Sequence, residues 1–340
     1  MKARQVVITE PHRVSVREVD LPAPAANQIL VQTEVSAVSA ATELAVFTGT
    51  HQWLKDPNLP DWKFPFRPGY SAAGKVLAVG SDVRGWQVGD RVSYPGNHAS
   101  HELLTIGHER GRLWRMPSDL DADKAAVACV ARYGMGAAIR AGLTFGRSAA
   151  VLGLGIIGQF ALRCLVAAGA QPVIGIDSVA MRRAAAKAGG ATHVLDSATD
   201  GREQLARLLG TAGAEIVADA TGIPDALPTA MSLACDIGQV IVVGSPRGKA
   251  REVNFYDDLH RRSIEVAGAH GNMLFETAHT RLAGAWSIDK AQGWLLAALA
   301  SGRLSLAGLI THRIAATELM TAYEGLLGKK EEYLGVLVRW

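Results

Sequence analysis

Up to about residue 120, apolar and polar residues alternate in short runs at 2–8, 14–19, 29–38 and 73–79, each bounded by turn residues, which predicts a strand-rich region. From about residue 122 the period changes. Short apolar runs at 148–152, 173–176, 193–195, 216–218, 240–243 and 264–267 alternate with segments of helical period, clearest at 159–168 and 289–300. Gly169 and Gly302 stand just past those two segments, where a helix ends most easily on glycine. The alternation predicts a parallel sheet covered by helices on both faces, and so an α/β fold. A strand over 309–314 and a last helix over 317–327 follow.

Within the first region, 51–68 contains Pro57, Pro60, Pro65 and Pro68 among Trp53, Trp62, Phe64 and Phe66. So stiff and apolar a loop is either a satellite packing cluster or one wall of a substrate pocket. Both readings stay open, with Trp53 and Trp62 as candidate substrate-binding residues.

Composition removes several classes of partner. The 340 residues carry a net charge of +3, from 35 basic and 32 acidic residues with no polybasic block, so neither nucleic acid nor a membrane surface is an expected partner. The opening residues turn polar at Thr9-Glu10, too soon for a signal peptide's apolar core, and no run reaches the roughly 18 apolar residues of a membrane span. A cytoplasmic protein is expected. Cys129, Cys164 and Cys235 lie far apart in apolar surroundings, as buried free thiols would, with no Cys-x-x-Cys spacing.

The most informative motif is Gly153-Leu154-Gly155-Ile156-Ile157-Gly158, between an apolar strand and a helix. In a dinucleotide-binding loop Gly153 permits the tight turn, Gly155 lets backbone approach a pyrophosphate, and Gly158 lets helix and strand pack closely. The helix N-terminus then faces the anion with free N–H groups. Asp177 ends the next apolar run, 19 residues beyond Gly158, where a carboxylate would bind the adenosine ribose hydroxyls. It would repel a 2′-phosphate, so NAD(H) is preferred. Arg182 and Arg183 follow closely and keep NADP(H) as the alternative.

The order of a β-rich region, a glycine loop near mid-chain and a short return segment resembles the medium-chain dehydrogenase/reductase superfamily over essentially the whole chain. The most specific local match is Val79-Gly80-Ser81-Asp82-Val83-Arg84-Gly85-Trp86-Gln87-Val88-Gly89-Asp90-Arg91-Val92, similar to a stretch of the family's GroES-like domain. The resemblance implies a GroES-like catalytic domain over 1–122, a Rossmann NAD-binding domain with a doubly wound parallel sheet over 123–302, and a return to the catalytic domain over 303–340. Thr221, Gly244 and Ser245 then fall at strand ends bordering the nicotinamide, and His270 borders it or a dimer interface. A homodimer acting on a small molecule is implied.

Zinc-dependent members carry a Cys-Gly-Thr-Asp type motif and a Gly-His-Glu motif. The matching residues here are Ala40-Ala41-Thr42-Glu43 and Gly69-Tyr70-Ser71, so Ala40 and Tyr70 replace two ligands. A catalytic zinc needs three protein ligands, and Cys129 alone cannot hold it. No cysteine lies between Arg91 and Ala125 for a structural zinc, so a zinc-free member is expected. Ser39-Ala40-Ala41-Thr42-Glu43 with Pro68-Gly69-Tyr70 is most similar to the branch that includes bacteriochlorophyllide dehydrogenases and some bidomain oxidoreductases, although Ala41 replaces the expected glycine.

Without a metal, stabilising the oxygen and moving its proton fall to side chains or the cofactor's own ribose. Thr42 matches a hydroxyl relay position in the zinc enzymes, and Tyr70 replaces a ligand and so points toward the reacting centre. His98, with His101 behind it, is a candidate acid or base. Glu43, read chiefly as a hydrogen-bond acceptor, Tyr94 and Arg132 complete the substrate-binding candidates, Arg132 as a clamp for an anionic group. The expected activity is zinc-independent, NAD(H)-dependent hydride transfer between the nicotinamide and a secondary alcohol or ketone. Reduction of an activated C=C bond is the alternative, and a non-catalytic cofactor-binding role the third reading.

Overall fold

The computed structural model describes residues 1–196, 201–276 and 286–340. In chain order the strands are β1 (Lys2–Glu10), β2 (Arg13–Asp20), β3 (Gln28–Ala37), β4 (Ala72–Val79), β5 (Arg91–Tyr94), β6 (His101–Thr105), β7 (Trp114–Arg115), β8 (Ala149–Leu152), β9 (Val173–Ile176), β10 (His193–Leu195), β11 (Ala214–Asp219), β12 (Ala234–Val242), β13 (Glu265–Gly268), β14 (Ile310–Ala315) and β15 (Gly335–Arg339). They fall into two compact units. The first comprises Met1–Val130, Gln292–Ser301 and Ile310–Trp340, the second Ala131–Ala291 and Gly302–Leu309.

In the first unit β1 and β2 form an antiparallel pair, and a larger sheet runs β14-β15-β3-β4-β5-β7, with β6 also pairing β3. Helix Ala122–Ala126 packs on β3, β4 and β5, which is why this unit extends past the change of period near residue 122 to Val130. Its buried alanines, Ala125 and Ala126, let it lie close. The apolar alternation does not announce β5, β6, β7 or β15. β7 has only two residues and β5 four, too few for an alternation to show.

In the second unit six parallel strands run β10-β9-β8-β11-β12-β13. Chain order reverses beside β8, the switch point at which such sheets bind ligands. Both faces are covered: Ala149 and Val151 enter one core while Ala150 and Leu152 enter the other. That double burial explains the continuous apolar runs in the sequence. Buried Arg163 ties in the 302–309 segment by donating to the carbonyls of Ser305 (2.7 Å), Ala307 (3.0 Å) and Ala185 (3.0 Å), and to Gln159 Oε1 (2.5 Å). Burial lowers its pKa to about 10. No helix among the described residues is long and apolar enough to cross a membrane.

Candidate active site

The glycine loop joins β8 to helix Ile156–Ala167, which begins earlier than the helical period suggests because Gly155 serves as its N-cap. Gly153 has φ +84°, a left-handed conformation that a side chain would strain. A Cβ on Gly158 would lie 1.8 Å from the Gly153 carbonyl oxygen, so only glycine lets the turn close this tightly. At Gly155 a Cβ would meet nothing within 4 Å. That open backbone, heading a helix, fits a pyrophosphate. Ile156 and Ile157 form the first turn, while Leu154 is buried in the core and its N–H donates to Asp177 Oδ2 at 2.7 Å.

Asp177 follows β9 and also accepts from the Val179 N–H at 2.8 Å, with Arg182 Nη1 3.6 Å away. Arg183 instead donates to the carbonyls of Asp177 and Ser178. At the end of β11, Asp219 accepts from the N–H (2.9 Å) and hydroxyl (2.7 Å) of Thr221, and its carbonyl accepts from the N–H groups of Val243 and Gly244. Burial raises the Asp219 carboxyl's pKa. Thr221, Gly244 and, just beyond, exposed Ser245 therefore cluster at the carboxyl ends of the β11 and β12 strands. His270 is exposed after β13, and its carbonyl caps the Leu274 N–H.

The first unit holds a different kind of site. Ser39 caps helix Ala40–Phe47 without using its hydroxyl. Glu43, one turn on, holds the cap residue's own backbone, its Oε1 accepting from the Ser39 N–H at 2.7 Å. The Ser39 hydroxyl pairs with the Tyr70 hydroxyl, a short contact between two groups that can each donate or accept. Thr42 lies on the same first turn.

A buried polar chain stands behind that pair. Glu43 Oε2 accepts from the Tyr323 hydroxyl (2.5 Å) and bonds His98 Nε2 (2.9 Å). His98 Nδ1 bonds the Ser36 hydroxyl (2.8 Å), which also accepts from Trp340 Nε1–H (2.9 Å). Burial pushes the Glu43 carboxyl up, but neighbouring His98 and the hydrogen bonds from His98, Tyr323 and Ser39 outweigh it and hold it below the ordinary range. Burial and the Glu43 carboxylate push the Tyr323 phenol well above its ordinary range.

Tyr70 itself is fixed by the turn before it. Gly69 has φ +98°, and a Cβ there would lie 2.7 Å from the His98 backbone nitrogen. The Asn97 side-chain amide donates to the carbonyls of Arg67 (3.0 Å), Pro68 (3.3 Å) and Gly69 (3.1 Å), and the His98 N–H to Pro68 (2.9 Å). Asn97 is held in turn by Glu102, which accepts its backbone N–H at 2.9 Å, and by Arg110, which donates to its Oδ1 at 3.0 Å. Glu102 is buried, and burial raises its pKa to about 7 against the opposing pull of Arg67, the Asn97 N–H, Arg110 and His98.

Three expected site residues require correction. His98 is wholly buried with both ring nitrogens engaged, so it cannot act directly on a substrate and instead orients Glu43. Glu43 is itself buried and its oxygens are occupied, so it holds Ser39 rather than a ligand. Tyr94 is a core residue of β5 whose hydroxyl bonds Thr33 at 2.7 Å, its phenol pushed well above the ordinary range by burial and by Glu102. Trp53 and Trp62 meet edge to face at 4.6 Å, His51 stacks on Trp62 at 4.6 Å, and Trp62 packs against the apolar core. His101 is half-buried beside Ser100. Arg132, in the second unit, is buried on helix Ala128–Ala141. Ser36, Ser39, Asn97, Tyr323 and Trp340 escape the sequence reading as site residues, and the one local signal is an acidic residue four positions after Ser39.

The three positions where the family resemblance places zinc ligands are tied through their chain neighbours. Tyr70 reaches Ser39, beside Ala40, and the Ser71 hydroxyl accepts from the Val130 N–H (3.3 Å), beside Cys129. The donors do not fit a catalytic zinc: a methyl, a phenol committed to serine, and a buried thiol facing Gln292 Nε2 at 3.5 Å. Among the described residues no group of three His, Cys, Asp or Glu side chains is placed to hold a metal.

Comparison with known proteins agrees with this architecture. The family described as alcohol dehydrogenase GroES-like domain matches residues 25–114, and that described as zinc-binding dehydrogenase matches residues 157–285. The second match excludes positions 40, 70 and 129. A 2-desacetyl-2-hydroxyethyl bacteriochlorophyllide A dehydrogenase from Cereibacter sphaeroides is 28% identical over 95% of this chain and 94% of its own. Among solved structures, 2R,3R-butanediol dehydrogenase from Bacillus subtilis superimposes with a TM-score of 0.83 at 19% identity, over 99% of each chain. A Sinorhizobium meliloti 1021 structure bound to NADP gives 0.79 at 20% identity over 100% of both. With its GroES-like unit, its Rossmann unit and these relatives, the chain is an oxidoreductase of the medium-chain dehydrogenase/reductase superfamily, in the bacteriochlorophyllide dehydrogenase-like branch.

Proposed function

We propose that this oxidoreductase works without zinc, prefers NAD(H), and interconverts a secondary alcohol and its ketone with Tyr70 carrying the proton. The observation that carries the reading is the pairing of the Tyr70 hydroxyl with Ser39, at a position to which the family resemblance assigns a metal ligand. When bound, the nicotinamide supplies or accepts the hydride. The residues that would hold the dinucleotide are Gly153 to Gly158 and Asp177, with Thr221, Gly244 and Ser245 at the strand ends. Tyr70 donates its proton to the oxygen as charge develops on it, the Ser39 hydroxyl hydrogen-bonds the phenolate left behind, a proton from solvent restores the phenol once product has left, and Thr42 is the second hydroxyl available to donate. Glu43, His98, Asn97 and Glu102 keep the two hydroxyls in register.

Asp177 supports the preference for NAD(H), because a 2′-phosphate would meet its carboxylate. Arg182, 3.6 Å away, offsets part of that repulsion and keeps NADP(H) as the alternative. The Cereibacter relative's name, with its hydroxyethyl group, supports an alcohol substrate. A phenol at this point can also protonate an enolate, which favours C=C reduction as the second reaction. Among the described residues β13 ends the six-stranded sheet, and such an edge suits the homodimer implied by the family resemblance.

Elemental analysis of protein dialysed without chelator tests the metal-free reading, together with a panel of ketones and enones offered with NADH. The expected result is far less than one zinc per chain and turnover of ketones in preference to enones. A full equivalent of zinc would overturn it.

A further inference from the structure

Behind the turn that carries Tyr70 lies a cavity of about 220 Å³, wholly within the first unit. Its polar walls include Arg67, Asn97, Glu102 and Arg110, and its apolar walls Leu21 and Pro95. The charges around it do not balance. Arg67 Nη2 lies 3.2 Å from Glu102 Oε1, and Glu102 is the one carboxylate among the described residues that line the cavity. Arg110 gives an N–H to Asn97 Oδ1 at 3.0 Å and makes no ion pair with any described residue. Two guanidinium groups thus share one carboxylate, beside apolar walls that leave charge poorly screened.

That carboxylate is a weak counter-charge. It is buried, and the backbone closes over it so tightly that a Cβ on Gly96 would lie 2.8 Å from its Oε2. Burial raises its pKa to about 7, against the pull of Arg67, the Asn97 N–H, Arg110 and His98. The Tyr94 phenol on β5 also feels it, pushed up by burial and by the Glu102 charge. Near pH 7 the Glu102 carboxyl is therefore protonated in about half of the molecules, and in those no charge in the cavity wall offsets Arg67 and Arg110.

We infer that this cavity is an oxyanion site, in which a small carboxylate or phosphate sits between Arg67 and Arg110 with the Glu102 carboxyl, in its protonated form, donating to it. A planar guanidinium suits the oxygens of either ion. The volume lies below the roughly 300–1,000 Å³ of sites for drug-sized ligands, so the ligand is small. The site also bears on catalysis. Arg110 and Glu102 both hold Asn97, whose amide grips the carbonyls of Arg67, Pro68 and Gly69 just before Tyr70. An anion that fixes Arg110 steadies that turn and so raises turnover, a consequence that rests on the reading of Tyr70 as the proton donor.

Calorimetric titration with acetate and with inorganic phosphate tests the site, and the anion bound more tightly names the source. Arg67→Gln and Arg110→Gln, both at exposed positions, should each weaken binding by about tenfold or more. Acetate keeps its charge between about pH 6 and pH 8, yet its affinity for the unmodified protein should fall by about tenfold over that range as Glu102 ionises. In Glu102→Gln the affinity should stay flat. No binding of either anion overturns the proposal, as does equal binding by the unmodified protein and both arginine variants, or a fall with pH that persists in Glu102→Gln. On a ketone that the protein reduces, acetate should raise turnover along the binding curve in the unmodified protein and not in Arg110→Gln. Binding without that response overturns the link to Tyr70. Absence of turnover on every ketone would instead overturn the reading of Tyr70, with the binding results standing apart from it.

Discussion

In the second unit the candidate site is made of backbone: a left-handed Gly153, an open Gly155 and a helix N-terminus, with Asp177 the chief side chain. In the first unit it is made of side chains drawn from seven places in the chain, Ser36, Ser39, Glu43, Tyr70, His98, Tyr323 and Trp340. A backbone site depends on spacing and tolerates change around it. A side-chain site can exchange its chemistry one residue at a time, and here it carries Ala40 and Tyr70 where the family resemblance places zinc ligands. The cofactor end of such an enzyme is therefore held by its geometry, while the substrate end is free to change its chemistry.

The contrast breaks most visibly at Glu43. Glu43→Ala leaves His98 and Tyr323 buried without their acceptor and frees the Ser39 N–H, and should destabilise the protein by about 3–5 kcal/mol in chemical denaturation. Glu43→Gln, which keeps an acceptor, should lose less. If Glu43→Ala is as stable as the unmodified protein, the buried chain does not hold this site together.

Glu102 sharpens the comparison through pH. Its carboxyl is raised to about 7 by burial, so the stability it contributes is fully present below the ordinary carboxylate value and is lost as pH rises through about 7. The unmodified protein should lose on the order of 3 kcal/mol more than Glu102→Gln between about pH 4.5 and pH 8. Parallel pH dependence in the two proteins would contradict the burial argument.

The smallest effect belongs to the backbone-made site, where one side chain matters for cofactor choice. Asp177→Ser should narrow the preference for NADH over NADPH by about tenfold, roughly 1.4 kcal/mol, in direct binding titrations. Tighter binding of NADPH than NADH by the unmodified protein would show that Asp177 does not select the cofactor.

The same division explains what can be read from the chain. The glycine loop is legible because its information is spacing, and the parallel sheet because strands buried on both faces write continuous apolar runs. Tyr70 is legible only through a motif in which it stands for another residue, and Thr42 only because the same comparison matches it to a threonine. His98 and Tyr94 mislead because a histidine or tyrosine on or beside a four-residue strand carries no local sign of burial. Their surroundings come from Ser36, Glu43 and Thr33, up to 62 positions away. Tyr323 and Trp340 lie 280 and 304 positions from the groups they bond, a distance over which no periodicity acts.

The central claim is that a phenol stands in for a metal, and the turnover rate of Tyr70→Phe on whichever ketone the panel identifies tests it most directly. The variant should keep its fold and its NADH affinity and lose about 10²- to 10⁴-fold in kcat, the usual effect of removing a positioned acid or base. Thr42→Val, made alongside, should lose less. Normal turnover by Tyr70→Phe, with the loss appearing in Thr42→Val instead, would contradict the account and move the proton to Thr42.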